Sequence, residues 1–249
     1  STELAIFASN EQLIGKRFFA RYGLRLSNWN DLGPASVYFF DANHTVIDTI
    51  AVDKNRVYKS FWNIEPRINL KFTLAENMNL FANYSRNIQY LQVLSNSTSP
   101  FTSLDVWVPS GPTIKPQVAD QFSLGLTANI FHRRLEFSVE SFYKQLYNQL
   151  DYKDHPNLLF NPLLEGELRF GEGRSYGIET MLRKNKGKIT GWISYAYTRS
   201  TRQTADVNNG DVYPASHDRP HNFSINLACV AGKHWSFASH WIYLSGAPF

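Results

Sequence analysis

At 249 residues, with 43% hydrophobic, 15% aromatic and only 18% charged content, the chain is long enough for one extended all-β domain, and its formal charge of +4 is too scattered for a nucleic-acid footprint. No apolar run reaches the about 18 to 20 residues of a membrane helix, which excludes a helical span and leaves a strand-built one open. A lone Cys229 forms no intrachain disulfide.

The opening "STELAIFASN" has no Met, no basic n-region and no apolar h-region, and it enters directly into alternation; the start reads as a cut or as a mature product. Ten strands are predicted, near 2–13, 16–29, 59–74, 77–90, 118–130, 134–152, 173–185, 188–201, 219–230 and 234–245. In the second, Phe18, Ala20, Tyr22, Leu24 and Leu26 oppose Arg17, Arg21, Gly23, Arg25 and Ser27. The third sets Trp62, Ile64, Ile68 and Leu70 against Asn63, Glu65, Arg67, Asn69 and Lys71. The fourth alternates Met78, Leu80, Ala82 and Tyr84 with Asn79, Phe81, Asn83 and Ser85. The fifth and ninth repeat the pattern, with Phe122, Leu124 and Leu126 opposing Ser123, Gly125 and Thr127, and Phe223 and Ile225 opposing Ser224 and Asn226. Successive strand side chains leave on opposite sides, so each segment has one oily face and one wet face.

The links alternate as well. Those at 14–16, 75–77, 131–133, 185–188 and 231–233 are short enough for hairpin turns, whereas those at about 31–58, 91–117, 154–172 and 202–218 are long. Several strands have 13 or more residues, beyond the about 5 or 6 usual in soluble sheets and more than the about 9 to 11 that cross hydrocarbon. Aromatics near strand ends, namely Trp29, Phe61, Trp62, Tyr84, Tyr90, Tyr195, Tyr197, Trp235, Trp241 and Tyr243, are placed for interfacial girdles. A soluble β-sandwich would alternate too, but would need neither strands of this length nor loops sorted to one end. The expected fold is therefore an antiparallel transmembrane β-barrel segment with short periplasmic turns and long extracellular loops. In it Phe18, Leu24, Ile68, Leu80, Leu126 and Phe223 face lipid, while Arg21, Arg67, Asn83, Thr127 and Asn226 face the lumen.

Several phrases carry a resemblance: "FFARYGLRLSNW" at 18–29, "NIEPRINLKFTLAENMNLFANYSRNIQYL" at 63–91, "IKPQVADQFSLGL" at 114–126, "HDRPHNFSINL" at 217–227 and "SGAPF" at 245–249. In order and spacing they resemble the barrel of TonB-dependent outer-membrane receptors of the Bacteroidetes type. The family carries an N-terminal plug with a TonB box and a barrel of about 22 strands. This sequence departs from that pattern in showing ten strands and no plug, so residues 1–249 are expected to be a partial barrel domain. The resemblance implies a multi-pass protein of the bacterial outer membrane that takes up a scarce nutrient: siderophore, haem, cobalamin, glycan or peptide. It implies no catalysis and no cofactor. Its expected partners are outer-membrane lipid, the receptor's own plug and missing strands, and the TonB-ExbB-ExbD energy-transducing complex reached through the absent N-terminal part. A surface lipoprotein is compatible with it, and nucleic acid is not.

Two other readings stay open: a passive porin, and a complete small barrel, for which ten strands and a terminal Phe249 would serve. Against the small barrel, Gly246 and Pro248 stand where a closing strand needs ladder donors. An omptin-like protease would require carboxylates and a His converging at the rim, and His217 and Asp218 come from one loop. His217 and His221 lie about 13 Å apart along an extended strand, too far to share a metal ion.

Candidate site residues fall in two groups. Trp107, with Asp105 beside it, stands in a long outer loop, and His217 and Asp218 stand in another; these are ligand-binding candidates. Arg21, Arg25, Glu65, Arg67, Glu136, Glu140, Glu179 and Arg183 share the polar register and are expected to face the plug. Mixed signs suit a wall that docks a folded plug better than a pore selecting one class of ion.

Overall fold

A computed structural model describes residues 1–41, 44–95, 105–131, 134–154, 156–157, 161 and 163–248, without the side chains of residues 95 and 105. In chain order the strands are β1 (Thr2–Ile14), β2 (Phe18–Leu32), β3 (Ala35–Phe40), β4 (Val46–Val52), β5 (Val57–Ala75), β6 (Met78–Gln89), β7 (Leu91–Ser95) and β8 (Asp105–Pro109). There follow β9 (Gln117–Ile130), β10 (Leu135–Tyr152), β11 (Leu168–Lys184), β12 (Ile189–Thr204), β13 (Tyr213–Pro214), β14 (His221–Ala231) and β15 (Trp235–Leu244). Each of the ten long strands expected from alternation is present, most with ends shifted by only a few residues. They form one antiparallel meander in the order β1-β2-β5-β6-β9-β10-β11-β12-β14-β15, with β1 and β15 each paired on one side only. Among the described residues no helix is long and apolar enough to cross a membrane.

Pairing joins each polar register to the next. Arg25 lies opposite Glu65, Arg67 opposite Ser85, Asn83 opposite Ser123, Glu136 opposite Arg183 and Ser194 opposite Ser224, so polar positions of successive strands lie side by side. The apolar registers align likewise, through Tyr22, Ile68, Tyr84, Phe122 and Tyr143. This apolar face is largely bare: Leu24 is 51% exposed, Leu124 53% and Trp62 67%. On the polar face, glycines make room for large rings. A β-carbon at Gly125 would collide with the ring of Phe81, the neighbouring residue on β6. The ring replaces the missing side chain and covers the glycine backbone.

Two of the long links hold structure that alternation did not announce. The hairpins β3-β4 and β7-β8 stand outside the main sheet. Both carry apolar residues on consecutive positions, as in "SVYFF", so period two is lost. A small core of Leu94, Val108, Ile114, Leu150 and Leu168, with Tyr152 against it, ties β7-β8 to the long-loop ends of β10 and β11. A bulge between Leu146 and Gln149 bends β10 there; Asn148, with φ 54°, donates from Nδ2 to the Pro116 carbonyl at 2.8 Å.

The girdle assignment requires correction at three residues. Trp29, Phe61 and Tyr90 belong to the polar face: Trp29 pairs with Phe61, and the Tyr90 hydroxyl bonds to Ser27 and Asn63. Trp29 and Tyr90 are buried against each other, with ring centroids 5.4 Å apart and planes 7° from parallel. Position near a strand end suggested an interface, but parity places Trp29 and Phe61 inside, and Tyr90, just past the end of β6, leaves the strand parity and turns its ring in over them. Trp62, Tyr195, Trp235, Trp241 and Tyr243 do lie exposed on the apolar register.

Candidate functional site

The polar face of β2 and β5 holds a connected network. Asn63 Nδ2 donates to the Tyr90 hydroxyl (2.9 Å), Tyr90 donates to Ser27 Oγ (2.8 Å), and Ser27 donates to Glu65 Oε1 (3.0 Å). Glu65 is 6% exposed, and Arg25 bridges it to Glu3, with Nη2 donating to Glu3 at 2.8 Å and Nε lying 3.3 Å from Glu65. The Nε approach is an ion pair without hydrogen-bond alignment, since that N–H is left unpartnered. Trp29 shares its indole N–H between Asp31 Oδ1 (2.9 Å) and the Ser110 carbonyl (3.1 Å), which clamps the base of the β7-β8 hairpin onto β2. Buried groups met in this way rigidify a wall, because leaving any one of them unpaired is costly.

Beside the network lies a recess of about 510 Å³ lined by Phe7, Ser9, Arg21, Arg25, Glu65 and Arg67, with Gly23 among its lining residues. Arg21 pairs with Glu11 at 3.1 Å, and Arg67 donates to Asn87 Oδ1 at 3.1 Å. The remaining polar-face candidates lie farther along the sheet. Glu136 and Arg183 are cross-strand neighbours on β10 and β11, as are the two like charges Glu140 and Glu179. Among the described residues neither Glu140 nor Glu179 meets a cation within 4.0 Å. Like charges placed opposite each other destabilise a sheet unless something relieves them.

The long-loop end is knit by buried charge. Arg169 Nε donates to Asp206 (2.9 Å), and its Nη1 donates to the carbonyls of Gly166 and Leu168. Asp151 receives Arg202 at 3.3 Å and the Tyr213 hydroxyl at 2.9 Å; burial pushes the Tyr213 phenol up to about 12, so it stays a donor at neutral pH. Asp218, expected at the ligand surface, is 3% exposed and holds the β12 end instead, accepting from the Ser200 amide (2.8 Å) and facing Arg199 at 3.3 Å. His217 beside it reaches the surface on one side only, and desolvation of its covered side, together with the charge of Arg202, holds its imidazole below the ordinary range. Trp107 is 63% exposed on β8 opposite Val93, so the hairpin buries one face and presents Leu91, Val93 and Trp107 on the other. The side chain of Asp105 lies outside the described residues. Among the described residues no group of three or more His, Cys, Asp or Glu converges as metal ligands would.

One charged pair breaks the alternation. Arg86 and Asp120 fall in the apolar register, in bidentate contact at 2.6 and 2.8 Å, with the Tyr84 hydroxyl donating to Asp120 at 2.9 Å. The pair is internally neutral and sits toward the long-loop ends of β6 and β9. Strand parity alone could have found it, since Arg86 follows Tyr84 by two positions.

A family profile described as TonB dependent receptor-like, beta-barrel, matches residues 1–247. The chain belongs to the TonB-dependent receptor β-barrel family. Solved structures agree with that fold. The E. coli ferric-catecholate import receptor Fiu superposes with a TM-score of 0.64 at 18% identity, over 97% of this chain and 34% of its own. The copper transporter OprC gives 0.65 at 15%, over 96% and 35%, and the alcaligin outer-membrane receptor FauA of Bordetella pertussis gives 0.61 at 14%, over 98% and 37%. This TonB-dependent receptor segment thus spans about a third of the length of the solved structures it matches. No curated protein sequence matches it.

Proposed function

We propose that the chain is part of the barrel wall of an outer-membrane receptor that takes up a scarce nutrient actively, its apolar face against lipid and its polar face against the receptor's own plug. The observation that carries this reading is the joining of polar registers across the whole sheet while the opposite face stays bare and apolar. Short turns then face the periplasm and long loops the outside. Missing strands pair with β1 and β15, because lipid cannot satisfy a row of open backbone groups.

The plug meets this wall at two places of different character. The Arg21, Arg25 and Arg67 recess, with Glu65 already satisfied within the wall, accepts an acidic or polar plug segment. The Glu140 and Glu179 pair calls for a plug cation, which would relieve their repulsion. Trp107 and His217 belong to the outer vestibule where cargo is met, and Asp218 positions the His217 loop. Siderophore, haem, cobalamin, glycan and peptide are the cargo classes; TonB-ExbB-ExbD supplies the energy through the plug, and a surface lipoprotein fits over the loop end.

The test uses the full-length receptor in its own cell. Charge reversal of Glu65 and Arg67 raises entry of a large antibiotic such as vancomycin while cargo binding persists, and Trp107→Ala lowers cargo binding without leakage. Growth of a deletion strain on defined iron, vitamin and glycan sources identifies the cargo. Unchanged permeability together with unchanged binding would reject both assignments.

A further inference from the structure

Charge is segregated along the strands as well as across them. The turns between paired long strands carry Lys16, Arg17, Arg134, Lys186, Lys188 and Lys233 against Glu76 as the carboxylate among the described turn residues. At the opposite end the signs invert, because carboxylates outnumber cations in the links at 31–58, 154–172 and 202–218. A formal charge of +4 for the chain therefore conceals a strongly basic end and an acidic one.

These cations are exposed, and the apolar face continues right up to them: Ile14 is 56% exposed and Ile189 50%, and Trp235 stacks on Phe237 with planes 7° apart. Lys184 adds a directional observation. Its register places it on the apolar face in line with Leu182, yet its Cε and Nζ are the atoms nearest the β-carbon position of Gly187, at 3.8 Å. The stem runs along apolar surface while the ammonium turns back toward the hairpin, as a lysine does at the edge of hydrocarbon.

Resting on the reading of this sheet as an outer-membrane wall, we infer that the short-turn end is a docking surface for anionic phospholipid headgroups of the periplasmic leaflet, with Lys184, Lys186 and Lys188 at its centre. The chemistry is a phosphodiester anion met by ammonium and guanidinium groups just beyond an aromatic and aliphatic belt. Each such cation near an anionic surface is worth about a five-fold preference, and the effect weakens with salt. The surface anchors the barrel vertically, because the basic ring resists moving into hydrocarbon and is held to the headgroup plane.

The experiment takes the full-length receptor in detergent, offers phosphatidylglycerol and phosphatidylethanolamine in equal amounts, and reads retained lipid by native mass spectrometry. Wild type retains phosphatidylglycerol at least about five-fold better, with the preference shrinking as salt rises. The Lys184→Gln, Lys186→Gln, Lys188→Gln variant loses most of that preference, and the corresponding Lys→Arg variant keeps it; heat-modifiable gel migration verifies that each barrel is folded. Equal retention of the two lipids by wild type, or an unchanged preference in the glutamine variant, overturns the inference while leaving the barrel reading intact. Retention of no lipid at all, with apolar-face positions open to polar reagents, overturns both. Photo-crosslinking from position 186 to an acidic periplasmic protein, without headgroup preference, overturns lipid as the occupant.

Discussion

The two faces of β2 and β5 differ in how their side chains are held. On the polar face Arg25 bridges Glu3 and Glu65, Glu65 accepts from Ser27, and Trp29 lies flat on Tyr90. On the apolar face of the same strands Leu24 and Trp62 are more than half exposed. One backbone thus supports a surface whose side chains are held mostly by one another and another whose side chains meet little of the chain. The polar face satisfies its groups with directional contacts between neighbouring strands, whereas the apolar face depends on a non-directional medium that the chain does not supply.

The strongest way to break that contrast is to put a charge on the bare face. Leu124→Arg, mid-strand on the apolar register of β9, should cost about 2 to 4 kcal/mol in bilayer folding titrations and Leu80→Arg, two residues in from the short turn of β6, less than that, whereas Asn83→Arg on the polar face should cost least. Spin labels at positions 80 and 126 should be open to oxygen and closed to a polar quencher; the reverse would break the face assignment.

A smaller effect is expected from emptying the bonded face. Glu65→Ala leaves Ser27 without its acceptor and Arg25 without one of its two carboxylates, and should cost about 1 to 3 kcal/mol in the same titration. Arg21→Ala removes only an exposed pair with Glu11 and should cost about 0 to 1 kcal/mol. Equal costs for the two would show that burial of Glu65 carries no weight. Trp29→Phe keeps a ring over Tyr90 and loses the shared indole N–H, so about 1 kcal/mol and faster amide exchange at the base of β7-β8 are expected.

The smallest effect is at the loop end, where pH sharpens the comparison. His217 has its proton affinity lowered in the folded loop, so its contribution favours folding above its ordinary value of 6.5 and is lost as pH falls below that. Amide protection in residues 215–218, taken relative to the intrinsic exchange rate at each pH, should fall on acidification, and His217→Gln should remove that fall.

The strands were legible because one face is apolar and the other polar over long runs, which keeps period two unbroken from one end of each strand to the other. Ends were read within a few residues where the turn contained Gly or Asn, as at Gly15 and Gly232, both with positive φ. The hairpins β3-β4 and β7-β8 escaped notice because both of their faces are partly apolar, which erases the pattern. Site residues were legible as to face and not as to role. Parity places Glu65 and Arg67 on one side, but nothing in the chain order announces that Tyr90, 25 positions on from Glu65, closes over Ser27 and Asn63.

From the sequence alone came the ten-stranded meander, its two faces and its sorting of short turns from long loops, because each follows from local alternation and turn chemistry. Tertiary structure decided the rest: that Trp29 stacks inside on Tyr90, that Asp218 is a buried clamp, and that Lys184 bends from the apolar face toward its turn. Those outcomes depend on which residues different strands bring side by side, and register across a sheet is set by the whole set of neighbours at once.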